Sequence, residues 1–294
     1  MEFLLQLALN GIVVGSIYAL VALGFVIIYK SSGVLNFAQG EFLLLGAYVF
    51  WALVEGHAPW PYAVALTILF SILLGLAMER LILRPMIGEP IISVIMVTLG
   101  LSSILRAIVL GAWGSDTRPY PALFASEPIQ IGPLPVSRGY LFSMFTAALL
   151  LALFTLFFRY SRVGIAMRAT AFSQEVAQSM GISVRRIFAV SWSIAAVVSA
   201  LGGILLGELR GGVDGSLAIL GLKTLPVVIL GGLDSIAGAI VGGLIVGVLE
   251  NLAGGYLDPV MGGGVKEVAP FAALVLILMF KPYGLFGKVK IERV

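Results

Sequence analysis

Apolar runs follow one another along this chain with almost nothing between them. Nine can be traced, at roughly 4–29, 36–54, 61–83, 90–112, 139–158, 187–208, 217–232, 236–254 and 267–281, and only the stretches 113–138 and 159–186 form long loops. A helix that crosses a bilayer needs about 20 apolar residues, so nine crossings consume about 180. In 294 residues that leaves no room for a separate soluble domain. Only 11% of the residues are charged and 60% are hydrophobic, whereas soluble domains carry about 25% charged residues. The reading is an all-α, polytopic integral membrane helical bundle of about 8–9 transmembrane segments, some broken or re-entrant, in one domain over 1–294. The first run, Phe3 to Ile28, has no basic flank before it and is too long for a signal peptide's apolar core, so it is expected to remain as a span.

The distribution of cations orients the chain, because loops on the cytoplasmic side carry the excess of Lys and Arg. With the N-terminus outside, the inside loops hold Lys30, Arg80, Arg84, Arg159, Arg162, Arg168, Arg185, Arg186, Lys281, Lys288, Lys290 and Arg293. The outside loops hold only Arg118, Arg138, Arg210 and Lys266. The C-terminus and the 159–186 loop are therefore expected in the cytoplasm. The formal net charge of +3 reflects these cytoplasmic loops, and the partner it fits is membrane lipid, not nucleic acid. Trp51, Trp60 and Trp113 fall near the outer interface and read as belt residues.

Two segments depart from a plain span. Ser31 to Glu41 is too polar and too glycine-bearing to face lipid, and fits a broken helix lining a cavity. Gly231-Gly232-Leu233-Asp234-Ser235 interrupts the chain between the seventh and eighth runs. The 113–138 loop carries Pro119, Pro121, Pro128, Pro133 and Pro135, whose fixed φ angles make it an extended external loop. The glycines at 202–203, 207, 211–212, 231–232 and 242–243 suit close helix packing.

Enzymatic readings find little support. The single histidine, His57, stands in an external turn, there is no cysteine, and no metal-ligand set or catalytic constellation is visible. A phosphate-cradling loop needs Gly-x4-Gly-Lys-Ser/Thr. The nearest approach, Gly221-Leu222-Lys223-Thr224, lacks that spacing and lies in an apolar run. Any ATP chemistry must come from another chain.

An ionisable group at the centre of a membrane helix costs about 2.5–3.5 kcal/mol on insertion scales, so each asks for a reason. Glu41, Arg106, Glu208, Arg210, Lys223 and Glu250 are such residues, with Lys223 and Glu250 able to pair between adjacent segments. Structural pairing is one explanation; lining a translocation path is the other, with Asn36, Gln39, Glu41, Arg106, Glu208, Lys223 and Glu250 as its candidate residues.

The cytoplasmic loop offers a different signal. From Arg168 to Ile182, Phe172, Val176 and Met180 recur at i, i+4 and i+8, which predicts one short amphipathic helix, and Gly181 stands where a helix C-terminus takes a left-handed residue. Such a helix can lie on lipid headgroups or dock into a groove of a cytoplasmic partner.

The run Glu175-x-Ala177-x3-Gly181 resembles the coupling-helix motif of bacterial ABC importer permeases, and Arg168-Ala169 through Met180-Gly181-Ile182 resembles the LivH/LivM family of branched-chain amino acid permeases. Gly33 to Gly40 (GVLNFAQG), Gly231 to Ala239 (GGLDSIAGA) and Lys281 to Gly287 (KPYGLFG) are similar to further elements of that family, in the right order over nearly the whole chain. The early element and short N-terminus resemble the LivH type more. The resemblance implies that 1–294 is a single ABC permease domain in the bacterial inner membrane, without catalytic residues or a bound cofactor. It implies that 168–182 couples to ATPase subunits through Arg168, Phe172, Glu175, Val176, Ala177, Met180, Gly181 and Ile182. The implied partners are a second, LivM-like permease, two LivG/LivF-like ATPases that bind ATP and Mg, and a periplasmic or extracellular substrate-binding protein. The implied cargo is a branched-chain or hydrophobic amino acid. Urea, short amides or aromatic acids are the alternative cargoes, and a self-sufficient small-solute channel is the alternative of a different class.

Overall fold

The computed structural model describes residues 1–120, 128–131 and 134–287. Pro121 and Pro133 of the proline-rich loop and the cations Lys288, Lys290 and Arg293 lie outside the described residues. In chain order the elements are α1 (Glu2–Ser32), α2 (Gln39–Glu55), α3 (Trp60–Met78), α4 (Ile91–Trp113), β1 (Arg118–Pro119), β2 (Ile129–Ile131), β3 (Leu134–Val136), α5 (Arg138–Tyr160), α6 (Arg162–Phe172), α7 (Gln174–Ser179), α8 (Val184–Arg210), β4 (Gly212–Val213), α9 (Ser216–Leu222), α10 (Thr224–Gly231), α11 (Ile236–Tyr256), α12 (Asp258–Met261) and α13 (Val265–Phe280). All nine apolar runs are helical. Six described stretches, Glu2–Ser32, Trp60–Met86, Ile91–Trp113, Arg138–Tyr160, Val184–Arg210 and Ile236–Tyr256, are long and apolar enough to cross a membrane. The seventh run is broken at Lys223 into α9 and α10. The chain is an all-α polytopic membrane protein.

The loop expected to form one helix over 168–182 forms two. Ser173 is the reason: its backbone is extended (φ −155°, ψ 121°), so α6 ends there. Its hydroxyl accepts a bond from Val176 N at 3.2 Å, which starts α7. A serine that offers its side chain to the backbone in this way competes with helix continuation. The other departure is in α3, which runs on through a π turn, Glu79–Leu83, and a 3-10 turn, Arg84–Met86. The wider turn sets Glu79 and Arg84 side by side. Arg84 donates from Nη2 to Glu79 Oε2 at 3.0 Å and from Nε to Oε1 at 3.3 Å, with Glu79 buried.

The chain divides into two compact units. One comprises 27–123 and 152–222, the other 1–26, 124–151 and 223–294. In the first, α8 packs along α2 and α3, and α9 lies on α2. These helices meet backbone to backbone. Gly203 of α8 faces the Leu43 carbonyl of α2, Gly46 faces Ala200, and Gly75 of α3 faces Ser193, each without room for a Cβ. Membrane helices gain nothing from excluding lipid in favour of leucine, so small residues that permit van der Waals packing at short range set the geometry. Two strand fragments tie this unit's loops: Arg118 pairs with Val213 and Pro119 with Gly212, antiparallel.

The second unit uses the same device. Gly11 and Gly15 of α1 oppose Val248 and Gly243 of α11, and Gly247 returns the contact on Gly15. Gly242 faces the Val227 carbonyl of α10 instead, so the adjacent pair 242–243 serves two neighbours. The Gly231–Ala239 and Lys281–Gly287 stretches come together. Leu285 N donates to Leu230 O at 2.8 Å and Phe286 N to Gly231 O at 3.0 Å, satisfying carbonyls at the end of α10. Gly232 (φ 106°) and Gly284 (φ 78°) make the turns this docking needs.

Replacing Gly203 by valine puts a branched side chain onto the Leu43 carbonyl. Overpacking of this kind costs about 1–3 kcal/mol. The expected result is a lower thermal unfolding midpoint of the detergent-solubilised protein, and an unchanged midpoint would contradict the packing described.

Candidate functional site

Among the described residues, three groups, each at a break in a helix, hold all the sequence-predicted site residues except Glu208. The first follows α1. Asn36 Oδ1 accepts from Ala38 N at 3.0 Å and closes a turn that starts α2. Asn36 Nδ2 donates to Gln39 Oε1 at 3.3 Å, and Gln39 Nε2 donates to Ser199 Oγ at 2.5 Å and to Ala195 O at 3.3 Å. Both amides are wholly buried, so their hydrogen bonds are spent on joining α2 to α8. Glu41, in the first turn of α2, is also wholly buried. Its Oε1 accepts from Arg106 Nε at 3.1 Å and Nη2 at 2.8 Å, while Oε2 has no partner. The carboxylate thus lies between the N-terminal turn of α2 and the Arg106 guanidinium. Sequence alone marked both residues without joining them, because a helix-to-helix pair 65 positions apart leaves no spacing signal.

The second group surrounds Lys223, at the break between α9 and α10. Its Nζ stands 3.9 Å from Glu250 Oε1 of α11, the expected pair, and 3.3 Å from Glu267 Oε1 of α13, a partner the sequence did not reveal. Glu250 is buried and its Oε2 lacks a partner, whereas Glu267 is exposed. One ammonium therefore answers two carboxylates.

Glu208, near the end of α8, lies beside Tyr120 rather than in either group. Burial first, and the Glu208 charge second, push the Tyr120 phenol well above its ordinary value. Past α8, Arg210 Nη1 donates to Ser216 Oγ at 2.9 Å, and Asp214 accepts from Ser216 N at 2.8 Å and from Thr117 Oγ1 at 3.4 Å. Burial raises the Asp214 pKa, but the Ser216 bonds, the Arg210 charge and the Thr117 bond outweigh it and leave it lowered. A lowered folded value means that this carboxylate's stabilisation of the turn is complete above the unfolded value and disappears as pH falls through the folded one.

The third group is the α6–α7 loop. Ser161 caps α6 by accepting from Gly164 N at 2.9 Å. Arg168 does not face outward: its Nη1 donates to Phe158 O and its Nη2 to Arg159 O at 3.1 Å, so it caps the end of α5. Ala177 is buried against the fold. Gly181 takes the expected left-handed conformation (φ 81°), with Gly181 N bonded to Gln178 O and Ile182 N to Ala177 O, both at 2.9 Å, which closes α7. Glu175 sits in the first turn of α7, where the dipole favours it. Phe172, Val176 and Met180 are 92%, 60% and 78% exposed. Splitting the helix did not bury the three apolar side chains that predicted it.

The family model for the permease component of branched-chain amino acid transport systems matches residues 7–280. This chain belongs to that family. The permease is 32% identical over 308 residues to the high-affinity branched-chain amino acid transport system permease protein LivH of Escherichia coli K12, covering 99% of this chain and 98% of the relative. It is 31% identical over 304 residues to the corresponding permease protein BraD of Pseudomonas aeruginosa, with the same coverage. Among solved structures, PsaBC from Streptococcus pneumoniae in complex with Fab matches with a TM-score of 0.50 and 16% identity, over 95% of this chain and 91% of that one. That likeness concerns the fold.

Removing one member of a buried ion pair costs about 3–5 kcal/mol, because the other charge is left unanswered. Lys223→Ala should therefore lower the permease's thermal midpoint more than the double change Lys223→Ala with Glu250→Ala. Equal or reversed losses in detergent melts would show that the Lys223–Glu250 contact is not energetically coupled.

Proposed function

We propose that this permease is the membrane subunit of an ATP-driven importer of branched-chain amino acids. It works beside a second, LivM-like permease, takes its energy from two LivG/LivF-like cytoplasmic ATPases that bind ATP and Mg, and receives cargo from an external substrate-binding protein. Family membership and the cargo named for LivH and BraD support this reading. The observation that carries the coupling is the exposure of Phe172, Val176 and Met180 on a loop held rigidly by its caps. Apolar side chains so placed fit a groove on another protein, and the family assigns this chain to a transport system whose driving force it does not carry as a nucleotide-binding loop.

Force then passes as follows. The ATPases close on ATP, the α6–α7 loop seated between them moves, and Arg168 conveys the displacement because it ties α6 to the end of α5. Ser173 and Gly181 set the start and end of α7, and Glu175 lies in its first turn. The permease opens alternately to each side, and the buried polar residues line or brace the path. The cation bias supports an N-terminus outside and a cytoplasmic C-terminus in the bacterial inner membrane.

The test is uptake by the full complex reconstituted in liposomes. Leucine import should require ATP hydrolysis, and import at the same rate without it would overturn the reading in favour of a channel. Phe172→Ser should leave insertion and the thermal midpoint unchanged but weaken ATPase co-purification by about thirtyfold, the scale of losing an aromatic hot spot. The chain has no cysteine, so Val176→Cys introduces a unique label. It should react only from the cytoplasmic side; labelling from outside inverts the orientation.

A further inference from the structure

Most of α4 presents a lipid-type surface, with Ile91, Ile92, Met96, Ile104 and Ile108 exposed. One line along it differs. Thr98, Ser102 and Arg106 recur at i, i+4 and i+8, so they share a face. The chain leading into α2 follows that line: Phe37 N donates to Thr98 Oγ1 at 3.4 Å, and Glu41 receives Arg106. The Arg106 side chain is 37% exposed while Glu41 is wholly buried behind it. An exposed guanidinium face on a membrane-spanning helix cannot be left to hydrocarbon. The two bonds to Glu41 use Nε and Nη2, so neither engages Nη1. Glu41 Oε2 is buried without a donor, which leaves the site one donor short.

We infer that the Arg106–Glu41 pair is the cargo contact within the membrane, and that it recognises the zwitterion of a neutral amino acid. This rests on the transport reading above and deepens it. Arg106 Nη1 donates to the α-carboxylate. Glu41 holds the guanidinium in place through Oε1, and the negative charge it places behind Arg106 answers the α-ammonium. A zwitterion carries both charges on one carbon, and the pair offers the opposite charges on facing side chains. Leu110, one turn beyond Arg106 and 40% exposed, provides apolar surface beside the charge. Glu41 already answers the Arg106 charge, so the guanidinium is not a bare cation that would trap the cargo.

The experiment uses the full importer in liposomes and measures leucine uptake alongside ATPase activity stimulated by the loaded binding protein. Arg106→Gln should lower uptake about tenfold or more, equivalent to about 1.4 kcal/mol, with stimulated ATPase retained. Arg106→Lys keeps the cation but loses the fork that holds Glu41 with two nitrogens and frees a third, so its uptake should fall between that of the parent and that of the Gln variant. The exchange Glu41→Arg with Arg106→Glu keeps an ion pair but reverses it, and should assemble without restoring uptake. Full uptake by the exchanged protein overturns the inference, since any pair would then serve. Equal losses in the Lys and Gln variants overturn it in favour of a contact with the second permease. If the Gln variant or the exchange does not assemble, the Lys variant decides. A parent complex that imports no leucine with ATP defeats the transport reading itself; parent import that survives Arg106→Gln defeats only the cargo contact.

Discussion

Inside a bilayer no water stands ready to answer a charge or a free hydrogen-bonding group, and the permease's sparse ions are arranged around that fact. Glu41, Glu79 and Glu250 are all buried, and each meets a cation: Arg106, Arg84 and Lys223. None of the three contacts is made by extending a regular helix. Glu41 lies just after the gap between α1 and α2, Glu79 begins a π turn, and Lys223 occupies the break between α9 and α10. Irregular backbone and charge go together here because a break supplies the space in which an ion meets its side-chain partner.

The same medium explains the glycines. With lipid as solvent, helices associate through contact at short range, and Gly46, Gly75 and Gly203 let α2, α3 and α8 touch at the backbone. Such surfaces are hard to deform. In the transport cycle proposed above, motion enters at a place gripped from outside. The α6–α7 loop has that character: its caps and the Arg168 bonds make it stiff, and its large apolar side chains have no cover.

Much of this was legible in the amino-acid order. Hydropathy located the nine helical runs, Gly181 marked the end of α7, and the ordered motifs pointed to the family. The pairing of Lys223 with Glu250 could be foreseen because their segments are neighbours in sequence. Glu267 could not, since it stands at the first position of the ninth run and nothing in the spacing directs it to Lys223. Nor could the helix be seen to stop at Ser173: a periodic apolar stripe says nothing about whether a hydroxyl will capture the next backbone amide.

The residue order by itself determined the class of protein, because a chain this apolar has no stable state in water and only hydrogen-bonded helices satisfy its backbone in lipid. Tertiary structure alone decided which partner each buried charge would take. Glu41 and Arg106 are separated by 65 positions, and Gln39 finds Ser199 across 160. Such meetings depend on how helices are stacked, and stacking is set by where glycines allow close approach, a property of surfaces in space and not of spacing along the chain.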